Sequence, residues 1–358
     1  MYFSGNVPTI KGNGKGGMAV SPTIKDVAKL ANTSKSTVSR FLNGLPVKKE
    51  TEEALKKAIK ELNYHRNENA RRLVVSKTQT IGIVVDSISN MFYPSIFKGI
   101  EDIAKEKGFN CVFYSMSSNK SKESHFQNKF FEGHVDGIIM VSFTKRDKQD
   151  LLDIAEAGIP VVVFGDSANV NDLISVDVDN YYGISELVKY LHRIGHRKIA
   201  YFSGPTDAAA TERRLAGYLE TMKQLGLEVI PNGIVPTNWS NEEGYRAMNH
   251  LMTVGDFTAV VASNDETAIG ALRAAQERGY HVPADISITG FDDITLASWT
   301  YPPLTTVKQP FLEMGKKAAV ELFKRIDEGE EYIPERHLLK PQLMIRDSCR
   351  KVFESIPN

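Results

Sequence analysis

The residues best suited to a specific chemical task lie in one short stretch near the start of the chain, TIKDVAKLANTSKSTVSRFLNG. Its second half opens with Lys35, Ser36 and Thr37, and Arg40 follows about one helical turn later. Small polar side chains allow close approach to phosphates and base edges, and an arginine can bond guanine through two parallel hydrogen bonds. The pattern indicates recognition of double-stranded DNA, and a small helical bundle with a solvated face is the alternative.

Three short helices are predicted to position these side chains. Thr23 and Asp26 give a capping-box pattern at the start of the first helix, with Asp in place of Glu. Ser34 suits the N-cap of the second helix, and Gly44 is predicted to end it. A third helix is predicted over about 50–63. The first two helices and their short turn form a helix-turn-helix unit, whose polar second helix would enter a DNA groove.

The formal net charge of the chain is zero, with 44 basic and 44 acidic residues, but the charges are unevenly distributed. Residues 1–80 contain 15 Lys and Arg against 6 Asp and Glu, a net charge of +9, and the remaining residues carry a net charge of −9. A basic segment on an acidic body favours a polyanionic partner. A length of 358 residues predicts two or three domains.

Several classes of protein and site do not fit the sequence. The two cysteines, Cys111 and Cys349, make neither a disulfide framework nor a metal spacing, and no histidine has a metal-type arrangement, so no metal or cofactor is expected. No apolar run reaches the roughly 18–20 residues that span a bilayer, and no secretory signal is seen. A reducing, cytoplasmic location without membrane contact is expected. Residues 1–21 are interpreted as a disordered leader or an added segment.

From Ile81 onward, short β-branched runs alternate with segments of helical length. The predicted strands are 81–88, 110–115, 136–141, 159–164, 198–204, 258–263 and 285–291. The predicted helices are 95–107, 180–194, 211–225, 242–253 and 265–279. The alternation predicts α/β structure with parallel sheets covered on both faces, in two doubly wound subdomains that face a cleft. Sheets of this kind bind ligands beyond the carboxyl ends of their strands.

The first quoted stretch resembles the DNA-binding signature of the lactose/galactose repressor (LacI/GalR) family. The resemblance continues in order and spacing through ELNYHRNENARRL, TIGIVVDSISNMFY, GHVDGIIMV, AGIPVVVFGD, GHRKIAYFSGP, RRLAGY, SNDETAIGAL, ITGFDD and YPPLTTVKQP. It covers residues 22 to about 347. The resemblance implies a dimeric transcription regulator with an all-α helix-turn-helix head and an α/β effector domain similar to periplasmic binding proteins.

The implied domains follow the chain. They are a helix-turn-helix DNA-binding domain at 22–67, a hinge helix or linker at 68–79, an effector-binding and dimerisation domain at 80–350, and a tail at 351–358. One effector subdomain is expected to comprise about 80–177 and 308–338, and the other about 178–307 and 339–350. 

The resemblance also implies roles in DNA binding. The expected contacts are Lys35, Ser36, Thr37, Ser39, Arg40, Asn43, Arg71, Arg72 and Leu73. Lys35, Ser36 and Arg40 fall on base-reading positions, whereas Thr37 and Ser39 fall on positions that contact the DNA backbone. A solvated helix residue without a DNA contact is the alternative for Ser39.

The hinge carries an apolar residue with no core of its own. In the family the hinge folds on DNA and a leucine from each protomer wedges into the minor groove, and Leu73 is the matching residue. Apolar wedges unstack a base step and bend the duplex while basic side chains hold phosphates. Packing of Leu73 in a dimer interface is the alternative. Arg66 stands where the family usually has proline, which leaves the entry to the hinge helix less fixed.

The expected effector contacts lie near strand ends that face the cleft. They are Asn90, Phe92, Tyr93, Asp166, Arg214, Trp239, Asn264, Asp265, Asp292 and Gln309. An indole stacks on the apolar face of a sugar ring, and carboxylates and amides bond its hydroxyls. Asp265 is also explained as a helix cap and Trp239 as a loop-packing residue. Gly165 stands where many family members have an acidic residue, although Asp166 follows at once.

Three function classes compete. A solute-binding receptor for transport would need a secretory signal and no DNA-binding head. An α/β enzyme would need a glycine-rich phosphate loop between a strand and a helix, and the glycine-rich run at 12–17 has no strand before it. We expect a sequence-specific DNA-binding regulator, acting as a repressor of carbohydrate-utilisation genes, controlled by a sugar-like effector in the cleft. A regulator that responds to a purine-type corepressor is the alternative within this class.

Overall fold

The structure is a computed structural model that describes residues 22–42, 44–64, 78–86, 91–115, 134–142, 158–165 and 173–352. The chain divides into two compact units, Met1–Ser76 and Lys77–Asn358. Several sequence predictions fall outside the described residues. These are the leader, Asn43, Arg66, most of the hinge with Arg71, Arg72 and Leu73, Asn90, Asp166 and the tail from residue 353.

The first unit contains a head of three helices. They are α1 (Ile24–Leu30), α2 (Lys35–Leu42) and α3 (Lys49–Glu61). The predicted capping box begins α1, because the Thr23 amide donates to the Asp26 carboxylate at 2.8 Å. Hydrogen bonds from Thr23 lower the pKa of Asp26. The Ser34 hydroxyl accepts from the Thr37 amide at 3.1 Å and caps α2. A small apolar core joins the three helices, formed by Val27, Ala28, Val38, Leu55 and Ala58.

The second unit alternates strands and helices. Its first half contains β1 (Thr80–Val85), α4 (Tyr93–Glu106), β2 (Asn110–Ser115), β3 (Gly137–Val141), β4 (Val161–Phe164), β5 (Ile174–Val178), α5 (Asn180–Arg193), β6 (Ile199–Phe202) and α6 (Ala209–Gln224). Its second half contains β7 (Ile234–Val235), α7 (Asn241–Val254), β8 (Ala259–Ala262), α8 (Asp265–Glu277), β9 (Ser287–Thr289), β10 (Thr306–Lys308), α9 (Phe311–Glu328), β11 (Arg336–Leu339) and β12 (Gln342–Met344). Short 3-10 turns lie at Thr295–Ser298 and Gly329–Glu331.

These elements form two lobes, each built on a parallel sheet. The first lobe has six strands in the order β11-β5-β4-β3-β1-β2, and the second has four in the order β7-β6-β8-β9. In the first lobe α4 and α9 pack closely, because Gly99 leaves room for the Leu312 carbonyl, which an added Cβ would overlap. Buried residues of β1, β3, β4, β5, α4 and α9 form its core. The predicted fold class, a helical head with two doubly wound parallel-sheet subdomains, is confirmed.

Within the described residues, the chain passes between the lobes at three points: from β5 to α5, from β10 to α9, and from β11 to β12. The strands β10 and β12 form an antiparallel ribbon beside the second lobe, and single bridges join Thr289 to Thr305 and Asp292 to Lys308. None of the described helices is long and apolar enough to cross a membrane.

The sequence patterns located most elements of the second unit to within one or two residues, but β1 was predicted too long. It ends at Val85 instead of 88. The patterns did not identify β5, β7, α9 or the strands β10 to β12. Several of these strands have only two to four residues, which is too short for an alternating pattern to stand out.

Candidate functional site

The candidate DNA-reading residues lie together on α2. Lys35, Ser36 and Arg40 are exposed, whereas Thr37 and Ser39 are half-buried. The Ser34 hydroxyl lies 2.7 Å from the Ser36 hydroxyl, which fixes the first turn. The Arg40 Nη2 lies 3.4 Å from the Pro46 carbonyl, a long contact that leaves the guanidinium at the surface. The helix therefore presents one exposed arginine behind a small polar first turn.

The second unit contains a cavity of about 350 Å³ between its two lobes. It is lined by Asp86, Phe92, Tyr93, Pro205, Asp207, Ala208, Ala210, Arg214, Asn238, Trp239, Ser240, Asn264, Glu266, Asp292, Gln309 and Phe311. Asp86 comes directly after β1, and Asn264 directly precedes α8. The lining thus comes from the carboxyl ends of the parallel strands, the usual position of ligand sites in such folds.

A buried arginine is the centre of the second-lobe wall. The Arg214 side chain donates from Nε to Asn180 Oδ1 at 2.7 Å and from Nη1 to the Ser263 carbonyl at 2.5 Å. Its Nη2 lies 3.6 Å from Asp292 Oδ1, and its guanidinium carbon lies 3.9 Å from the centre of the Phe291 ring. Burial lowers the pKa of Arg214, and the Asp292 carboxylate opposes this effect. The guanidinium is therefore fixed in one orientation at the cavity surface.

Asp292 is held from the opposite side by Gln309. The Gln309 Nε2 donates to Asp292 Oδ1 at 2.6 Å, and Asp292 adopts a left-handed backbone conformation with φ of 122°. Burial raises the pKa of Asp292 to about 6, although Arg214 and Gln309 both favour its ionised form. The Gln309 Oε1 is buried and has no hydrogen-bond partner among the described residues. The wall therefore offers both a carboxylate and an unsatisfied acceptor.

Trp239 forms the aromatic part of the same wall. Its Nε1 donates to the Ser263 hydroxyl at 3.1 Å, and the Asn264 side-chain amide donates to its backbone carbonyl at 2.9 Å. Its backbone is left-handed, with φ of 68°. The indole lies against Gly204, where an added Cβ would overlap the ring. The half-buried indole is thereby held beside Arg214, whose guanidinium carbon lies 5.6 Å from the centre of the Trp239 ring.

The first-lobe wall is mostly aromatic. The Phe92 and Phe311 rings are stacked with centres 5.2 Å apart, and Phe92 meets Tyr93 edge to face at 4.7 Å. Among the described residues, Asp86 is the polar member of this wall, and the Ser142 hydroxyl donates to its Oδ2 at 2.8 Å. Together the two walls provide aromatic faces and hydrogen-bonding groups on opposite sides of the cavity.

The structure brings seven of the predicted effector residues to the cavity. They are Phe92, Tyr93, Arg214, Trp239, Asn264, Asp292 and Gln309. The Asn264 side chain is already engaged, because its Oδ1 accepts from the Thr267 amide at 3.0 Å and caps α8 while its amide holds Trp239. Asn264 therefore supports the wall more than it reaches into it.

Among the predicted effector residues that the structure describes, Asp265 is not brought to the cavity. Asp265 is fully buried and does not line the cavity. Its Oδ2 accepts from the Ile294 amide at 2.8 Å and its Oδ1 from the Thr306 hydroxyl at 2.5 Å, so both oxygens tie the start of α8 to neighbouring segments. Burial and the nearby Asp292 carboxylate raise its pKa well above the ordinary value. The helix cap considered for Asp265 is instead supplied by Asn264.

Sequence reasoning missed several lining residues. Asp86, Phe311, Ser240 and Glu266 line the cavity but were not predicted. Asp86 was hidden because the first strand was predicted to run through it, and Phe311 because α9 was not recognised. Asn180, which positions Arg214, begins α5 directly after the chain leaves the first lobe. A strand end that is followed by a polar residue is the signal that could have found Asp86.

Two parallel-sheet lobes around a polar and aromatic cavity define a ligand-binding fold, and a helix-turn-helix head adds a DNA-reading element. The class is therefore a ligand-responsive DNA-binding protein. Residues 23–67 match the family described as bacterial regulatory proteins, lacI family, and residues 188–349 match the periplasmic binding protein-like domain. The transcriptional repressor PurR of Haemophilus influenzae (strain PittEE) is 33% identical over 336 residues, which cover 92% of this chain and 99% of the relative.

Solved structures give the same result. The lac repressor dimer bound to operator and the anti-inducer ONPF matches with a TM-score of 0.84 and 28% identity, covering 92% of this chain and 100% of the other. The complex of the transcriptional regulator CelR with cellobiose matches with a TM-score of 0.69 and 33% identity, covering 91% and 99%. This chain belongs to the LacI family of DNA-binding transcription regulators, as its sequence predicted, and it is a regulator and not an enzyme.

Proposed function

We propose that this protein is a cytoplasmic, homodimeric repressor of carbohydrate-utilisation genes, and that an uncharged sugar bound in the cavity controls its affinity for operator DNA. The observation that carries the proposal is the second-lobe wall, where the Trp239 indole stands beside the Arg214–Asp292 pair. An indole packs against the CH face of a sugar ring, and fixed charged groups bond its hydroxyls. Binding of cellobiose by the relative CelR supports this ligand class.

Gln309 strengthens the case for a hydroxyl-bearing ligand. Its buried Oε1 lacks a partner among the described residues, and leaving a buried acceptor unsatisfied costs about 1–3 kcal/mol. A ligand hydroxyl that donates to this oxygen removes that cost. Among the described residues, four carboxylates and one guanidinium, that of Arg214, line the cavity: the carboxylates are Asp86, Asp207, Glu266 and Asp292. This balance disfavours phosphorylated or carboxylated ligands.

The second candidate ligand is a purine base. The stacked Phe92 and Phe311 rings offer an aromatic surface against which a flat base packs. One relative is named as the transcriptional repressor PurR. A purine presents fewer hydroxyl-type donors to Asp86, Asp292 and Gln309 than a sugar does, which favours the sugar.

On the DNA side, we propose that Lys35, Ser36 and Arg40 read bases while Thr37 and Ser39 contact the backbone. Asn43, Arg71, Arg72 and Leu73 complete the proposed contact set, and they lie outside the described residues. Leu73 is proposed as the minor-groove wedge from each protomer. A lac repressor dimer with operator bound supports the same arrangement here.

The proposed dimer uses an exposed apolar face of the second lobe. Trp299 and Tyr301 are 80% and 88% exposed, and Leu296 and Tyr280 are 45% and 40% exposed. The Gln276 side-chain amide donates to the Tyr301 carbonyl at 2.6 Å, which joins this segment to the end of α8. Large exposed aromatic side chains in one segment are typical of protein interfaces.

The proposed mechanism links the ligand to the chain crossings between the lobes. Arg214 bonds Asn180 at one crossing, and Asp292 bonds Gln309 at another. A ligand that engages Arg214 and Asp292 therefore acts on the segments that set the relation of the lobes. A coupling free energy of about 1–3 kcal/mol between the two sites would change operator affinity about 5- to 150-fold.

The proposal is tested by selecting bound operators from random DNA with the full-length protein, with and without a panel of sugars and purines. Arg40→Ala should weaken binding and relax base preference at one position per half-site, because a bidentate arginine–guanine pair contributes about 1–3 kcal/mol. Lys57→Ala, which removes a positive charge from α3 in the same head, serves as the control. An Arg40→Ala protein that selects the same site with the same affinity contradicts the base-reading role.

A further inference from the structure

The first lobe contributes one charged side chain to the cavity among its described residues, Asp86. Its other described lining residues are the aromatic Phe92, Tyr93 and Phe311. Asp86 is half-buried and directly follows the fully buried strand β1. Asp86 thus occupies the carboxyl end of a parallel strand, the usual position of ligand-contacting residues in such sheets.

The Asp86 carboxylate is braced by the neighbouring strand. Ser142 follows β3, is 4% exposed, and donates its hydroxyl hydrogen to Asp86 Oδ2 at 2.8 Å. The strands β1 and β3 are adjacent and parallel, so their ends lie side by side. A buried hydroxyl that donates to the carboxylate fixes its orientation before a ligand arrives.

The next strand end carries no side chain. Gly165 follows β4, with φ of +85°, and an added Cβ there would meet nothing nearer than the Ser142 carbonyl at 3.9 Å. The three consecutive strand ends β4, β3 and β1 therefore present a glycine, a bracing serine and a carboxylate. Among the described residues at these three strand ends, the charge is carried by the residue that follows β1.

The second lobe supplies the complementary groups. Arg214 and Asp292 are fixed by hydrogen bonds, and Gln309 presents a buried acceptor. Asp207 and Glu266 add two further carboxylates to the lining. A ligand that contacts both lobes therefore meets carboxylates on each side and a guanidinium on one.

We propose that Asp86 is a ligand-binding residue of the first lobe, and that it accepts a hydrogen bond from one hydroxyl of an uncharged polyhydroxy effector while disfavouring anionic ligands. Ser142 is the positioning residue that orients it. This inference rests on the proposed sugar-binding function. Because the second-lobe contacts lie across the cavity, the Asp86 contact makes the bound ligand bridge the two lobes.

Calorimetry on the full-length protein tests the assignment with glucose, galactose, ribose, cellobiose, glucuronate, glucose 6-phosphate and hypoxanthine. Asp86→Ala should weaken binding of the preferred uncharged sugar about 10- to 100-fold, since a hydrogen bond to a charged group is lost. Asp86→Asn, which keeps the shape and one acceptor, should weaken it about 3- to 10-fold. The sugar affinity of Ser142→Ala should lie between those of the wild type and Asp86→Ala. The control Asp102→Asn, on α4, should bind the sugar with the affinity of the wild type.

Deoxy analogues of the preferred sugar separate ligand contact from a structural effect. One analogue, lacking the hydroxyl that Asp86 binds, should bind the wild type and Asp86→Ala with equal affinity. Each of the other analogues should still bind Asp86→Ala more weakly than the wild type, by the same factor as the parent sugar. If Asp86→Ala fails to fold, Asp86→Asn in the same series gives the same comparison.

Two outcomes separate the two proposals. If the wild type binds a sugar and both Asp86 variants bind it equally well, or if no analogue removes the difference, the role of Asp86 is overturned and sugar control stands. If the wild type gives heat only with hypoxanthine or an anionic sugar, the sugar proposal and the Asp86 inference are overturned together.

Discussion

Arg214 and Asp292 face each other in a wall where neither side chain is solvated, and this sets the expected pH dependence of ligand binding. Burial raises the pKa of Asp292 to about 6, so much of the free protein carries a protonated Asp292 below that pH. A ligand hydroxyl that donates to Asp292 favours the ionised form, so binding releases a proton. Affinity should therefore rise as pH increases through about 6 and then level off.

Calorimetry with the preferred sugar between pH 5 and pH 8 measures this dependence. We expect about tenfold weaker binding at pH 5 than at pH 7. Asp292→Asn should weaken binding at neutral pH and flatten the pH profile, and Asp102→Asn should leave the profile unchanged. An affinity that falls as pH rises through 6 would show that the protonated acid, donating its own hydrogen, is the ligand-binding form.

The raised pKa of Asp292 also makes the free energy of unfolding depend on pH. Because the pKa of Asp292 is higher in the folded protein than in an unfolded chain, ionisation destabilises the fold. The stabilisation is present below about pH 4 and is lost as pH rises through about 6, and it amounts to about 3 kcal/mol as an order of magnitude.

The site residues show where sequence reasoning reaches its limit. Resemblance placed Arg214, Trp239, Asp292 and Gln309 at the cavity because each occupies a matching position in a family motif. Adjacent residues are harder to assign. Asn264 and Asp265 stand side by side at the start of α8, and the extended N-cap backbone at Asn264, with φ of −152°, sends one side chain to the wall and the other into the core. No residue pattern encodes that difference.

At the scale of elements, the loop after β6 decides where the Trp239 ring lies. Gly204→Ala should displace the indole, because the added Cβ would overlap the ring. The ring is held by the hydrogen bond from its Nε1 to Ser263 and lies beside the Arg214 guanidinium, while Asn264 holds the Trp239 backbone. Sugar affinity should fall about tenfold or more as the aromatic face is lost. Operator affinity without sugar should stay unchanged.

Intrinsic tryptophan fluorescence and calorimetry on the same variant provide the measurement. Gly226→Ala is a matched control, since Gly226 lies outside the cavity and has open space at its Cβ position, although its positive φ of 65° adds some backbone strain. Unaltered sugar affinity in Gly204→Ala would mean that Trp239 is a packing residue and not part of the ligand surface.

The elements that the patterns missed share a physical cause. Helix α9 has a buried face of Phe311, Met314, Ala318 and Leu322, but glycine and alanine dilute its apolar signal. The strand β11 is an edge strand with alternate residues exposed, and it pairs with β5 from a distant part of the chain. A strand that is specified by a partner far away in sequence cannot be recognised from its own residues. The strands β1, β3 and β4 can be recognised, because each is a continuous run of buried, mostly apolar residues.

For the whole molecule, two heads on one operator require two copies of the chain. Tyr301→Asp should place a charge in the apolar face of the second lobe and shift the dimer towards monomer, because burying an unpaired charge is strongly unfavourable. Operator affinity should then fall more than 100-fold at nanomolar protein, since a single head binds one half-site without the gain from linking two.

Sedimentation velocity and operator titration of the same samples test this arrangement. Ile333→Asp is the control, because Ile333 is 80% exposed on the first lobe and lies away from the proposed face. A Tyr301→Asp protein that sediments as a dimer would exclude this face as the interface and leave the DNA-reading assignment untouched.

One neighbour of β5 in the first-lobe sheet is β11, and all four strands of the second-lobe sheet lie between the two in sequence. During synthesis, the residues of the head core have all been made once the chain reaches Tyr64, and those of the second-lobe sheet once it reaches Thr289. The first lobe must wait for α9 and β11, up to Leu339, although its own strands are made first. A nascent chain therefore leaves β5 as an open edge for most of translation. Any product that stops short of that point carries the DNA-reading helix without a finished ligand-sensing domain.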